Sequence, residues 1–338
     1  PLCCPKTPRK QHRNRTGGGL SPDKEHMLPA LHIPDGIAKR PDMAPTDRAR
    51  PLFESALVGI GVLHIPAGHP EWNHDRTGYC WPAIGLPRIP YQIKVESDAP
   101  VVTDRNTVFF TNVGATYRRR NLVSKGLQND WVDIRPELLA DMLTAATGKR
   151  HEPTSRFPWS FGPSPTTPLL RVHALNSVLA EGGNHDSLRV EETVLEVVSE
   201  IIEANVEARG TVRRRRPSAA QAQFHQASVE EVRRVLATNP HLPHRLENLA
   251  AGVCMSPFHL CRVFKRHTGL PVHRYLERLR LRQALACVLD TKERMISIAS
   301  NCGFCSEAHL SNAFLREFGH RPSRLRRDRT LAVAPACI

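Results

Sequence analysis

The chain has 338 residues, 40% of them hydrophobic and 24% charged, with 28 prolines and 20 glycines. That length accommodates two domains with sizeable cores, and no apolar run approaches the ~20 residues that a membrane-spanning helix needs. A formal net charge of +14 and nine cysteines without disulfide-like spacing argue against a secreted disulfide scaffold and for a polyanionic partner in a reducing, cytoplasmic compartment.

Residues 1–45 are rich in Pro, Arg, Lys and Gly without hydrophobic periodicity and read as a disordered basic tail. The opening residues do not read as a signal segment. Between 52 and 135, short β-branched and aromatic runs alternate with Pro/Gly turns: Ala56–Ile65, Tyr91–Ser97, Pro100–Thr103 and Asn106–Val113. Many short strands punctuated in this way predict a small β-barrel or sandwich. Residues 136–148 open with Pro and close with Gly, as a helix does. Two further helices follow, Pro168–Glu181 and Ser187–Ala208, the second with Asp186 as N-cap. Val190, Val194, Leu195, Val197, Val198, Ile201, Ile202 and Val206 form a broad apolar stripe on it. Half of that stripe is expected to face the barrel and half a second subunit, so 187–208 is the expected homodimer contact.

A basic linker spans 209–227, in which Arg213–Arg216 are placed to touch phosphates or simply to be solvated. Residues 228–330 read as an all-helical domain. Ser228 and Glu231 form a capping box for its first helix, and the rest are expected at about Arg245–Ala251, Pro257–His267, Val272–Leu289, Met295–Asn301, Ser306–Phe318 and Pro322–Arg327. Charge is uneven along the chain. Residues 228–338 carry 18 Lys/Arg against 9 Asp/Glu and 1–45 carry 8 against 4, whereas 46–227 carry 21 against 20. The excess sits on the helical domain and the tail, as for a protein that meets phosphates.

Within the helical domain one pattern occurs twice, about fifty residues apart. Leu246–Leu276 and Ile296–Arg326 share Ser256/Ser306, His259/His309, Leu260/Leu310, Phe264/Phe314, Arg266/Arg316 and Gly269/Gly319, with Leu249-Ala250 matching Ile298-Ala299. Each copy reads as a helix-turn-helix, whose second helix enters the major groove of DNA. At about 100° per residue, Leu260, Val263 and Phe264 fall on the core side of the first recognition helix. Phe258, Arg262 and Lys265 fall opposite, with Cys261 and Arg266 flanking. An outward Phe258 suits thymine methyls, Arg262 suits guanine O6/N7, and Lys265 and Arg266 suit phosphates. In the second, Leu310, Ala313, Phe314 and Phe318 are core, while Ala308, Asn312 and Leu315 face out with Ser311 and Arg316 beside them. Asn312 suits adenine, but the face carries much less positive charge, so a weaker contribution is expected from this head. The helix between them, about 27 Å long at 1.5 Å per residue, sets their separation against groove segments about 34 Å apart. Where the DNA is too straight for both heads, it must bend.

These residues resemble the AraC/XylS family of transcription regulators. The stretch MISIASNCGFCSEAHLSNAFLREFGHRPS (Met295–Ser323) carries the resemblance, supported by Leu249-Ala250, Met255-Ser256-Pro257, Leu260, Arg262, Phe264-Lys265, Gly269 and Tyr275. The resemblance implies a bipartite DNA-binding domain with base contacts from Phe258, Cys261 and Arg262 in one helix and Glu307, Ala308, Ser311 and Asn312 in the other. Asn312 stands where the family usually has Arg, and Leu325 where it usually has Tyr. The segment 52–135 resembles, less specifically, the cupin-like sensor domain often found N-terminal in this family, through the stretch Val101–Arg120, implying a small-molecule effector or a dimer contact.

The expected architecture is therefore α+β and multidomain. It comprises a cupin-like sensor or dimerisation domain with helices over 46–208, a linker over 209–227, and an all-α bipartite helix-turn-helix domain over 228–330. The expected function is sequence-specific regulation of transcription, as an activator that binds double-stranded DNA and contacts RNA polymerase, with no membrane partner. A non-specific architectural DNA binder would carry comparable basic charge on both heads. A cupin-type metalloenzyme with a DNA-binding appendage would need a His/Glu cluster. His64, His69 and His74, interrupted by Pro66 and Pro70, give no ligand geometry, so no catalytic group, metal or cofactor is expected. Cys302-x-x-Cys305 has the spacing of half a zinc site or a redox pair but no second ligand pair, and reads as small residues of a turn.

Overall fold

The computed structural model describes residues 49–77, 81–152, 156–182, 186–210 and 218–333. The basic tail and Arg213–Arg216 lie outside these residues. The N-terminal half is built from strands whose side chains alternate between two cores. Val58 and Ile60 of β2 (Val58–Ile65), Ile84 and Leu86 of β4 (Ala83–Pro87), Val108 and Phe110 of β7 (Thr107–Thr111), and Val132 and Ile134 of β9 (Leu127–Ile134) point to the helices. Leu63, Ile65, Phe109, Leu127 and Trp131 point the other way, as the two-residue period of a strand requires.

With β1 (Ala49–Glu54) and β10 (Phe161–Pro163), those four strands form a six-stranded sheet in the order β1-β2-β9-β4-β7-β10. The second sheet has four strands, β3 (Asp75–Thr77), β8 (Thr116–Asn121), β5 (Tyr91–Val95) and β6 (Val101–Thr103), in the order β3-β8-β5-β6. The expected sheet-rich domain is thus two open antiparallel sheets and not a closed barrel. Tyr91, Ile93, Val95 and Tyr117 of the smaller sheet, with Trp72, fill the space between the sheets. The filling is tight: a Cβ on Gly85 would lie 2.0 Å from the Phe109 ring.

Several strands escaped the sequence pattern because they are polar or short. β9 reads LQNDWVDI, yet Asn129, Asp130 and Asp133 are buried. Asp130 accepts two hydrogen bonds from Arg88, at 2.6 and 2.7 Å, and one from Asn176 at 2.7 Å. Buried polar groups satisfied in this way leave no apolar alternation to read.

On the outer face of the six-stranded sheet lie α1 (Pro136–Thr147), α2 (Thr166–Ala180) and α3 (Ser187–Gly210). Asp186 accepts from the Leu188 amide at 3.1 Å, as expected of the N-cap. The α3 stripe is not divided between this chain and a second subunit. Val190, Val194, Val197, Val198, Ile201 and Ile202 are all buried within the chain, and Leu195 and Val206 pack against the same core. The exposed large apolar residue left on this helix is Leu188.

The helical part begins with α4 (Ala219–Thr238), earlier than the expected capping box. Ser218 is the N-cap, accepting from the Gln221 amide at 3.3 Å, while Ser228 is buried in mid-helix. Then follow α5 (Leu246–Gly252), α6 (Pro257–Thr268), α7 (Val272–Asp290), α8 (Met295–Asn301), α9 (Glu307–Phe318), α10 (Pro322–Arg327) and a 3-10 turn, Arg329–Ala332. The described residues belong to one compact unit. Among the described residues no helix is long and apolar enough to cross a membrane.

Candidate nucleic-acid interface

The two helix-turn-helix units are α5–α6 and α8–α9. Ser256 caps α6 by accepting from the His259 amide at 3.2 Å, and Ser306 caps α9 by accepting from His309 at 3.1 Å. Both second helices, α6 and α9, stop at a left-handed glycine, Gly269 (φ 75°) and Gly319 (φ 72°), a conformation that glycine adopts without Cβ strain. The turns differ by one residue. Met255 N donates to Ala250 O at 3.0 Å and Phe304 N to Ala299 O at 2.9 Å, which aligns Cys254 with Gly303. Ser256 follows Met255 directly, whereas Cys305 intervenes before Ser306. The left-handed position holds a glycine in the second turn (φ 78°) but Cys254 in the first (φ 54°), where a Cβ is strained.

The structure places the expected α6 residues on one outward face. Phe258, at 73% exposure, does not pack on a neighbouring helix. Arg262, Lys265 and Arg266 are exposed and Cys261 is half-buried. The Arg262 guanidinium lies 5.7 Å from the Phe258 ring centre, a cation–π pair one helical turn apart. Behind this face, His259 Nε2 is 3.3 Å from Nε2 of the buried His225 on α4. Burial, with His259 and Arg266 nearby, pushes the His225 pKa down from the ordinary imidazole value. On α9, Glu307, Ala308, Asn312, Leu315 and Arg316 are exposed and Ser311 is half-buried. Glu307 offsets Arg316, so this face has no net charge, against three cations on α6.

Other arginines of the domain are structural. Arg280 donates to the Pro240 and Leu242 carbonyls at 2.7 and 2.9 Å, anchoring the α4–α5 connection. Arg282, fully buried, donates to the Ser164 carbonyl at 2.7 Å and to the Arg105 carbonyl. Arg278 donates to Glu317 at 2.7 Å, and Glu317 also accepts from Thr166 at 2.7 Å. Arg233 bonds the Tyr275 hydroxyl at 2.9 Å and Glu230 at 2.8 Å, and Tyr275 donates to Asp104 at 2.5 Å. Net charge therefore overstates the cations free to meet phosphate. The sequence reading missed these anchors; the one legible hint was the run of arginines on α7, more than a solvated face needs.

The α7 helix joins the two heads. Tyr275 and Leu279 enter the core of the first head, while Leu281, Ala284, Leu285, Val288 and Leu289 enter that of the second. Burial at both ends fixes the spacing that a flexible linker would leave free. At the far end, Arg88 bridges Asp130 and Asp290 at 2.6 and 2.8 Å, and His173 and Ser177 reach Asp290 at 3.1 and 3.2 Å. The sheet domain is thus hydrogen-bonded to both ends of α7. Of the three expected metal-candidate histidines, His64 and His74 are exposed and His69 binds the Glu71 amide at 3.1 Å. Among the described residues no three metal-binding side chains converge.

Two helix-turn-helix units thus share the one helix α7. Residues 249–328 match the helix-turn-helix domain family, and the C-terminal domain is of the AraC type found in transcription regulators. It is similar to the HTH-type transcriptional activator RhaS of Escherichia fergusonii, 40% identical over 87 residues covering 26% of this chain and 31% of the relative. It is also similar to the HTH-type transcriptional regulator Rv1931c of Mycobacterium tuberculosis, 34% identical over 84 residues covering 25% and 32%. The chain spans about a third of the length of these relatives. A crystal structure of an AraC-type transcriptional regulator from Chromobacterium violaceum aligns with 32% of this chain and 96% of its own, at 27% identity and a TM-score of 0.30.

Proposed function

We propose that the protein is a sequence-specific, cytoplasmic transcription activator that reads two successive major-groove segments of double-stranded DNA with α6 and α9. One observation carries this reading: the outward face of α6 presents Phe258, Arg262, Lys265 and Arg266 with no ion pair among the described residues to occupy the cations. Phe258, Cys261 and Arg262 contact bases, with Lys265 and Arg266 on phosphates. Glu307, Ala308, Ser311 and Asn312 supply a weaker second contact, with Arg316 at its edge. Residues 46–208 act as the sensor and 228–330 as the reader, which recruits RNA polymerase once placed. The space between the sheets is filled by aromatic side chains, so an effector fits better in the open cleft between α2 and α3, lined by Thr166, Glu200, Glu203 and Glu207. Thr166 also bonds Glu317 of α9 at 2.7 Å, giving that cleft a direct connection to the second head. A homodimer through 187–208 has only Leu188 as an exposed apolar anchor.

Selection of bound duplexes from a random pool at near-physiological salt tests the proposal. The expected result is one strong and one weak box about 10 bp apart. Affinity without any enriched motif would replace this reading with architectural binding.

A further inference from the structure

The repeat puts a histidine at matching points of α6 and α9, and the two have different surroundings. His309 is exposed, with the Cys305 thiol 3.2 Å from its Nδ1. His259 is half-buried and leans on a second imidazole. Its Nε2 is 3.3 Å from Nε2 of His225 on α4, and the ring centres are 5.2 Å apart. His225 is only 4% exposed, and its other nitrogen, Nδ1, is buried without a hydrogen-bond partner among the described residues.

That arrangement fixes the protons of the neutral pair. A bond between two imidazole Nε2 atoms needs one N–H and one lone pair. With His225 as the acceptor, its own proton would sit on Nδ1, an orphaned N–H in the interior. An unsatisfied acceptor is the commoner and cheaper defect. His225 therefore donates from Nε2, and His259 accepts.

Acid cannot enter this pair without loss. A proton on Nε2 of His259 sets two N–H groups head to head. The bond re-forms only if His225 moves its own proton to Nδ1, where nothing accepts it. The added charge also meets no carboxylate. One turn away on α4 stand Gln221, Ala222, Ser228 and Val229. From α6 the groups facing His225 are His259, Arg266 and His267, all cations or potential cations. Glu230 and Glu231 are held by Arg233 and Arg234. α4 also packs on α7 and β6, but there the polar contacts gather around Arg233, with Tyr275 and Val102, about 12 Å further along the helix.

We propose that His225 and His259 form a proton-sensitive clasp between α4 and α6, closed while both rings are neutral and opened by acid, so that the first helix-turn-helix loosens at a pH at which the second holds. The second lacks the clasp, because exposed His309 has no buried imidazole against it among the described residues. The lowered pKa values of His225 and His267 run in the direction this requires. The unfolded chain takes up the proton first, at about pH 6.5, so the stability that the clasp supplies is full above that pH and is lost as pH falls below it. Weaker grip of DNA by α6 in acid is a consequence that rests on the function proposed above; the clasp itself does not.

Hydrogen exchange of the full chain without DNA, at about pH 7 and about pH 5.5 and corrected for the intrinsic rate, tests the clasp. The expected result is a loss of protection of roughly threefold or more across 221–229 and 257–263 in acid, with 307–313 unchanged. In His225→Phe, whose ring fills the same space and does not titrate, protection of those segments should no longer depend on pH. No loss, an equal loss in both units, or a pH dependence that survives in His225→Phe would overturn the proposal. Should that variant fail to fold, imidazole nitrogen NMR of the wild-type chain decides. His225 as the Nε2–H tautomer at neutral pH supports the clasp; the Nδ1–H tautomer or a protonated ring overturns it.

Discussion

The two helix-turn-helix units share a sequence pattern, a serine N-cap and a glycine stop, yet they are built into the molecule differently. The first has a separate small core, in which Phe264 and Leu260 meet Val229, Val232 and Leu236 of α4. The second shares one continuous core with the six-stranded sheet, through α2 and α3, so that Phe314 and Leu310 belong to the same cluster as Ile60 and Val132. The outward faces differ in the opposite sense. The independent head carries three free cations and an exposed ring, and the integrated head is neutral. The two units share one framework but differ in setting: one presents exposed cations beside a core of its own, the other is built into the core of the sheet domain.

Removing the two buried rings breaks that comparison most forcefully. Phe264→Ala and Phe314→Ala should each cost about 3–5 kcal/mol, since both side chains are fully buried. Their reach should differ under hydrogen exchange. Phe264→Ala is expected to loosen α4–α6 alone, while Phe314→Ala should lower protection in α2, α3 and β2 as well. The same pattern of lost protection in both variants would erase the distinction between separate and shared cores.

Next in size is base reading. Arg262→Ala should cost about 1–3 kcal/mol at a selected site and relax base choice at one position, with little loss on random duplexes. Asn312→Ala should cost less, and titration of labelled duplexes measures both. A larger loss for Asn312→Ala would reverse the ranking of the heads.

A smaller effect concerns Cys254, whose φ of 54° suits glycine better. Cys254→Gly should stabilise the first turn by about 0.5–1 kcal/mol, read by chemical denaturation. A destabilised variant would show that the thiol makes a contribution exceeding its backbone strain.

The smallest expected effect is pH-dependent and tests the attachment of α7. Burial would raise the Asp290 pKa, but His173, Arg88 and Ser177 outweigh it and hold the carboxyl at about 2. A carboxyl with a depressed folded pKa contributes stability above its unfolded pKa near 4, and that contribution is lost as pH falls toward 2. Asp290→Asn should therefore flatten the acid limb of the stability profile between pH 4 and 2. An unchanged limb would mean that Asp290 is too solvated for its partners to matter.

The sequence by itself marked α6 and α9 and their core sides, because the repeat of Ser, Leu, Phe and Gly at matching offsets rests on local periodicity, whereas the start of α4 at Ala219, capped by Ser218 ahead of the expected Ser228 capping box, was not legible. It also showed a strand-rich N-terminal half, though not the ten strands among the described residues or their pairing. Polar β9 is a strand only because Arg88 and Asn176 come from elsewhere to satisfy Asp130. Other features were decided wholly by tertiary structure. Which arginines are free and which are anchors depends on carbonyls far away in sequence, such as those of Arg105 and Ser164. The apolar stripe of α3 faces only its own chain because α1, α2 and the sheet together cover it. Cys302 lies in the core and its near neighbour Cys305 at the surface, because the turn of a helix-turn-helix sends residues three apart in opposite directions.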